Sequence, residues 1–292
     1  MTNAPRGRLY VVATPIGNLG DIGDRARETL GSCGLIAAED TRRTGVLLHA
    51  FGLSKPMVSL HEHNEGDRAA HLIEKLRGGI SIALVSDAGT PGISDPGFGL
   101  VRACAEAGID VVAIPGPCAL IAALSVAGLP TDRFCFEGFL PARRTARRAR
   151  LAALALEART LVFYESPHRI REALEDCAES FGGDRQAAVA RELTKVHETL
   201  YRATLSELAA RASGERDFER GEIVLVVAGV AAAAVPESGA DGHGGALDRA
   251  LIPLLEELPL KQAAHLAARI ASVRDNEAYK RALELKQAYG AR

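Results

Sequence analysis

Ser86-Asp87-Ala88-Gly89-Thr90-Pro91-Gly92-Ile93-Ser94-Asp95-Pro96-Gly97 follows the apolar run Ile80-Ser81-Ile82-Ala83-Leu84-Val85 and precedes a helical pattern over 98–107. A polar, glycine-rich turn at the carboxyl end of a buried strand is where open α/β sheets hold small ligands. Two more such turns close apolar strands in the same half of the chain. Thr14-Pro15-Ile16-Gly17-Asn18-Leu19 ends the run 9–13, and Pro115-Gly116-Pro117-Cys118-Ala119 ends 110–114. Three such turns predict a ligand-binding enzyme built on a parallel sheet.

Working outward, strand patterns at 9–13, 35–38, 57–60, 80–85 and 110–114 alternate with helical ones at 22–30, 41–51, 67–77, 98–107 and 118–127. The strands are continuously apolar, which predicts a mostly parallel sheet covered on both faces. The pattern changes near 129–133. Strands at 134–141, 160–164, 187–190 and 222–228, with helices at 142–156, 169–180 and 206–212, predict a second α/β domain. Residues 231–246, mostly Ala, Gly, Pro, Ser, Asp and His, have too little apolar surface to offset their ordering entropy and read as a linker. Amphipathic helices at 247–258 and 260–273, then 277–289, predict a small helical domain. The expected domains are thus 8–129, 130–230 and 247–292.

The bulk numbers exclude more than they assert. A chain of 292 residues with formal net charge −2 carries no global attraction to nucleic acid, although a local basic face can still bind phosphate. Cysteines at 33, 104, 118, 135 and 177 are odd in number and lack CxxC spacing, so disulfides and structural zinc are not expected; Cys33, Cys104 and Cys177 fall in apolar helical patterns and read as core. No signal-peptide pattern and no uncharged stretch of spanning length is seen, so the expected location is the cytoplasm, away from membrane.

The turns carry the candidate chemistry. Gly17 permits close backbone approach, and Asn18 offers a donor and an acceptor. No GxGxxG follows the first strand and no GxxxxGK[ST] occurs, so neither a dinucleotide fold of the usual kind nor a triphosphate cradle is supported. Asp95, followed by Pro96, reads as the cap of the next helix. Asp87, at the strand end, is open to a ligand-facing role. Pro115-Gly116-Pro117 exposes backbone groups suited to an adenine or amino-acid end. Glu39-Asp40-Thr41-Arg42 and His61-Glu62-His63-Asn64 share the same rim; HExHN is not the HExxH zinc motif, and a polar surface is the better reading. In the second domain, Glu165 and His168 are placed for proton transfer, while Arg169, Arg191 and Lys195 suit either phosphate or an ion-paired interface. Arg143, Arg144, Arg147, Arg148 and Arg150 crowd one helix, which is either a solvated face or an RNA contact.

Taken together, VVATPIGNLGDI, IAAEDTRRTGVLL, SLHEHNE, ALVSDAGTPGISDPG, VVAIPGPCALIAALSVAGLPTDRFCFEGFLP, LVFYESPHRI and ARELTKVHET resemble the ribosomal RNA methyltransferase branch of the tetrapyrrole methylase superfamily, almost continuously from 8 to 229. LPLKQAAHLAARI and NEAYKRALEL resemble that branch's helix-turn-helix-like tail. The resemblance implies two α/β domains with an S-adenosylmethionine cleft between them, and a homodimer. It implies 2′-O-methylation of a cytidine ribose in the decoding region of 16S RNA, on the small (30S) subunit. It maps cofactor contacts onto Pro15, Asp87, Ala88, Gly89, Thr90, Pro115, Gly116, Pro117 and Ala119, with Phe163, Arg191 and Gly221 from the second domain. Asp87, Glu165 and His168 are the expected candidates for a base, and no metal is expected. A tetrapyrrole substrate, or a non-catalytic role in RNA binding or ribosome assembly, stand as alternatives.

Overall fold

The computed structural model describes residues 7–61, 65–230 and 244–289. Up to Gly229 the chain forms one compact unit, and from Val230 it forms a second. The first unit opens with β1 (Leu9–Val12), α1 (Asp24–Ser32), β2 (Leu35–Ala38), α2 (Thr41–Ala50), β3 (Met57–Ser59), α3 (Glu65–Arg77), β4 (Ile82–Val85), α4 (Phe98–Glu106) and β5 (Val111–Ile114). Their strands lie in the order β3-β2-β4-β1-β5, all parallel. One face packs on α1 and α2 through Val12, Ala26, Leu30, Ile36 and Leu48. The other packs on α3 and α4 through Leu9, Leu72, Leu76, Leu84 and Leu100. Covering both faces is why these strands read as unbroken apolar runs.

The chain leaves β1 toward β2 across one face and leaves β4 toward β5 across the other. The neighbours β1 and β4 therefore form the topological switch point, the crevice where such sheets bind ligands. Its two loops are tied by a small antiparallel bridge. Thr14 N–H donates to Gly89 O at 2.9 Å, and Gly89 N–H donates back at 3.0 Å.

After α5 (Ala119–Ala127) come β6 (Phe134–Phe139), α6 (Arg144–Leu154), β7 (Thr160–Glu165), α7 (Ile170–Phe181), β8 (Gln186–Arg191), β9 (Thr199–Thr204), α8 (Leu205–Gly214) and β10 (Ile223–Val227). The second sheet has the order β6-β7-β10-β8-β9, parallel only between β6 and β7. The edge strand β9 has no counterpart in the sequence reading. Its residues are mixed polar and apolar, and all remain partly exposed. Alternate residues of the inner strands serve opposite cores. Leu161, Phe163, Val189 and Leu225 face α7 and α8, while Val162, Ala188, Ala190, Val224 and Val226 face α5. Leu120, Ala123, Leu124 and Ala127 of α5 thus join the two lobes in one apolar core.

The arginine-rich helix α6 is not a free basic face. Arg147 is fully buried and bonds Asp176 through Nε at 2.8 Å and Glu172 through Nη2 at 2.9 Å. Arg144 reaches the other oxygen of Asp176 at 3.0 Å; Arg148 pairs with Glu179, and Arg150 pairs with Glu137. Of the five, only Arg143 has no ion pair among the described residues. The run clamps α6 to α7 and β6, while the Arg144, Arg148 and Arg150 side chains stay partly exposed.

The second unit holds α9 (Gly244–Glu257), α10 (Leu260–Ala271) and α11 (Asp275–Tyr289). Their core is Leu247, Leu251, Ala264, Ala267, Ala268, Ala278, Ala282 and Leu285, and Arg281 forks onto Asp248 at 2.6 and 2.7 Å. Helix α9 begins three residues earlier than the sequence reading has it, and the linker expected at 231–246 lies outside the described residues as far as 243. No helix among the described residues is long and apolar enough to cross a membrane.

Burial raises the carboxyl of Asp176, but hydrogen bonds from Arg147 and Arg144 outweigh it and hold the group below its usual range. A depressed carboxylate stabilises above its unfolded pKa, and that contribution is lost as pH falls through the folded value. Asp176→Ala leaves the buried Arg147 short of its partner and is expected to cost about 3 kcal/mol, read from urea unfolding at pH 7. A loss below about 1 kcal/mol overturns this role for the pair.

Candidate active site

A cavity of about 310 Å³ opens between the two lobes of the first unit. The first lobe contributes Ile16, the segment Ala88-Gly89-Thr90 with Ile93-Ser94-Asp95, and Cys118-Ala119 at the start of α5. The second contributes Phe139, Tyr164 to Pro167, Ala190, Leu193 and Gly221 to Val224. Two of the three turns expected to hold a ligand thus supply walls directly, and the first supplies Ile16.

The turns are locked to one another. Thr90 Oγ1 donates to Pro117 O at 3.0 Å, joining the second turn to the third. Gly89 has φ +83°, a left-handed conformation that side chains resist. Gly17, at φ +154°, does not approach a ligand: a Cβ there would meet the Lys195 stem at 2.4 Å. Lys195 comes from the second lobe, where it pairs with Glu192 at 2.8 Å and Glu222 at 3.2 Å. Gly17 therefore lets the lobes close on each other. Ser94, Glu192 and Thr194 all hold positive φ without being glycine, and Ser94 lies in the cavity wall itself. Strain of this kind gathers where the surrounding structure over-determines a functional loop.

Ala88, Gly89, Thr90, Ala119 and Gly221 line the cavity as expected from the sequence. Pro15, Asp87, Pro115, Gly116 and Pro117 do not; they shape the turns behind it. Asp87 accepts from Asp40 N–H at 3.0 Å and pairs with Arg43 at 3.2 Å, so both its oxygens are engaged at the rim. Phe163 points into the opposite core, and its neighbour Tyr164 takes the cavity position instead. Arg191 also lies outside the cavity, donating to Arg220 O, His197 O and Thr199 Oγ1 at 2.9, 2.9 and 3.2 Å. It braces the loop that returns to β9.

Of the three carboxylate and imidazole candidates, only Glu165 borders the cavity, and its carboxylate, on the Phe163 side of β7, turns toward Arg169 and Arg147. It is buried, accepting from Ser166 N–H at 2.7 Å and from Arg169 at 3.3 Å. Burial raises its carboxyl despite those two bonds. His168 is exposed and lines a separate hollow with Arg171 and Arg220, on the far side of Pro167. His63 and its neighbours Glu62 and Asn64 lie outside the described residues.

Asp95 is the residue sequence reasoning misplaced. Gly97, at φ +130°, is the N-cap of α4, and the helix starts at Phe98. Asp95 lies two residues before that cap and lines the cavity instead. Burial pushes its carboxyl up to about 6, helped by the charges of Glu39 and Asp87 and opposed by the nearby Ser86 hydroxyl. The signal available was the doubled Ser-Asp, at 86–87 and 94–95, which places an acid at each end of one loop.

A half-enclosed, largely apolar chamber lined by one carboxylate of raised pKa suits a small cationic or polar ligand and a proton transfer beside it. Known proteins agree with this architecture. The profile described as tetrapyrrole (corrin/porphyrin) methylases matches residues 8–209, and that of the RsmI C-terminal HTH domain matches 241–286. The ribosomal RNA small subunit methyltransferase I of Escherichia coli O157:H7 is 53% identical over 279 residues, covering 96% of each chain. That of Pseudomonas aeruginosa is 53% identical over 278 residues, 95% of this chain and 97% of the other. Among solved structures, the methyltransferase CobJ superposes with a TM-score of 0.58 at 21% identity, over 77% of this chain and 95% of the other. Uroporphyrin-III C-methyltransferase from Thermus thermophilus, in complex with S-adenosyl homocysteine, gives 0.53 at 17% identity over 75% and 97%. These structural likenesses speak to the fold alone. With the sequence matches beside them, the chain belongs to the tetrapyrrole methylase family and, within it, to the ribosomal RNA small subunit methyltransferase I group.

Proposed function

We propose that this methyltransferase transfers the methyl group of S-adenosylmethionine to the ribose 2′-hydroxyl of a cytidine in the decoding region of 16S RNA, on the small ribosomal subunit. The observation that carries the reading is one chamber lined both by Asp95 and by Ala88 to Thr90 and Cys118-Ala119, the turns that the resemblance assigns to the donor. The residues fit the donor. Ala88 to Thr90, Cys118-Ala119 and Gly221 to Val224 would hold it. Carboxylates near a sulfonium complement its charge. When bound, the donor supplies an electrophilic methyl group.

The protein's own contribution is orientation and a proton acceptor. Holding two reactants in line is worth about 7–11 kcal/mol in well-ordered systems. A ribose hydroxyl is a weak nucleophile, and Asp95 is the acceptor we assign to it. As the new C–O bond forms and the S–C bond breaks, the hydroxyl proton passes to the Asp95 carboxylate. A carboxyl with a pKa of about 6 is ionised at pH 7 yet basic enough to take that proton. Glu165, tied to Arg169 and the Ser166 amide, fixes the opposite wall. A homodimer in the cytoplasm completes the reading; it rests on the family and on exposed apolar residues such as Val46 and Phe98. Sedimentation of the purified chain tests the dimer.

The deciding experiment incubates purified 30S subunits with labelled donor and maps the modified atom. Label on a 2′-oxygen of a 16S cytidine is expected; label on a base or none at all overturns the proposal. Gly89→Val introduces a branched side chain at positive φ, a cost of about 1–2 kcal/mol in backbone strain alone. It should weaken donor binding at least tenfold by calorimetry, and unchanged affinity removes the turn from the site.

Asp95 yields a paired prediction. Its folded pKa is raised, so the cost of the charged form builds as pH rises from about 4 to about 6 and is fully present above that. Asp95→Asn should therefore raise stability at pH 7 by about 1 kcal/mol, discounted for partial exposure, or roughly 2–4 °C in Tm. Turnover should fall by roughly 10²–10⁴-fold. In the unaltered enzyme kcat should decline as pH drops below about 6. A variant with full activity and the same pH profile overturns the assignment.

A further inference from the structure

Phe139 is a large apolar side chain left mostly uncovered at the wall of the cavity, 57% exposed. Its position follows from a defect in β6. The β6–β7 pairing runs in register from Phe134 to Phe136, then shifts before Phe139 meets Tyr164. Gly138, at φ +66°, supplies the left-handed residue in the irregular stretch. Such bulges re-aim a side chain and recur beside active sites. The Phe139 ring meets Tyr164 edge-on, at 5.7 Å and 62° between planes, and Tyr164 is held in turn by Phe136 at 4.9 Å. Tyr164 is further anchored where its hydroxyl accepts from Leu120 N–H at 3.3 Å. Phe139 is thus braced at one edge while much of its surface stays open. A Cβ on Gly138 would lie 3.5 Å from Ser94 Oγ, which sets this segment directly against the residue preceding Asp95.

A nucleotide entering a cavity must leave its stack, which costs a few kcal/mol, and proteins recover that by stacking the freed base on an aromatic face. We propose that Phe139 forms a nucleobase-stacking subsite at the cavity mouth: the target pyrimidine packs on its open face, and the attached ribose is thereby held beside Asp95. This rests on the RNA reading above. It adds a positioning residue, since Phe139 touches the base and not the reacting atoms.

The test compares Phe139→Leu, Phe139→Ala and Phe139→Trp in the full chain, with 30S subunits and labelled donor. Leucine keeps apolar bulk without a π-face. The Leu and Ala variants should lose roughly ten- to a hundredfold in kcat/KM for the subunit. Trp should restore it to within a few-fold. Donor affinity by calorimetry and the Tm should stay near the unaltered values, because Phe139 is mostly solvent-facing. Full kcat/KM in the Leu variant overturns the stacking role. A parallel loss of donor affinity also overturns it, by assigning Phe139 to the donor wall. If the unaltered enzyme labels no RNA, the function proposed above fails instead, so the two failures are separable.

Discussion

Nine residues of α5, packed against the second sheet, are the constraint on which the rest depends. Leu120, Ala123, Leu124 and Ala127 begin from the end of the first sheet and finish in the core of the second. Small side chains let the helix lie close to Ala188 and Ala190, so the lobes meet through dense apolar contact with little polar material to satisfy. Because α5 starts directly after the third turn, the same packing fixes Cys118 and Ala119 against Tyr164 and the strand ends of the second lobe. The cavity between the lobes exists because that helix has nowhere else to go.

Around this joint the chemistry is divided between two kinds of backbone. The first lobe provides the switch point of a parallel sheet, with loops bridged to one another and little freedom. The second provides the ends of a mixed sheet, where the return to β9 forces Glu192 and Thr194 into left-handed conformations. Rigid turns suit a donor that must be held in one pose. The hairpin side, with Gly221 and the Lys195 contact, closes the opposite wall. Arg191 underpins that wall through backbone carbonyls, which explains a buried arginine in a place where a ligand contact was expected.

Much of this was legible beforehand, and the exceptions have physical causes. Alternation of strands and helices, the three turns and the helical tail all depend on local pattern, and local pattern survives in a sequence. The parity of β7 did not, because both faces of that strand are buried and Phe163 and Tyr164 look equally apolar from the chain alone. β9 escaped because an edge strand half in water carries no clean period. Asp95 was assigned to a cap since Pro96 marks helix starts; Gly97, with a φ only glycine takes readily, moved the start onward. The ion pairs of the α6 arginines were not legible because their partners Glu172, Asp176 and Glu179 lie on another helix, about 30 positions away. Spacing along one helix cannot report what faces it.

The clamp between α6 and α7 also bears on how such chains diverge. Arg147 and Asp176 form a fully buried ion pair in which each charge is tolerable only with a partner present, and the exposed Glu172 and Arg144 join it from the surface. An apolar pair of matching volume can be as stable, but the intermediate steps pass through an uncompensated interior charge. Lineages carrying this set are thereby held in it by a barrier along the mutational path, whatever the merit of the alternatives on the far side.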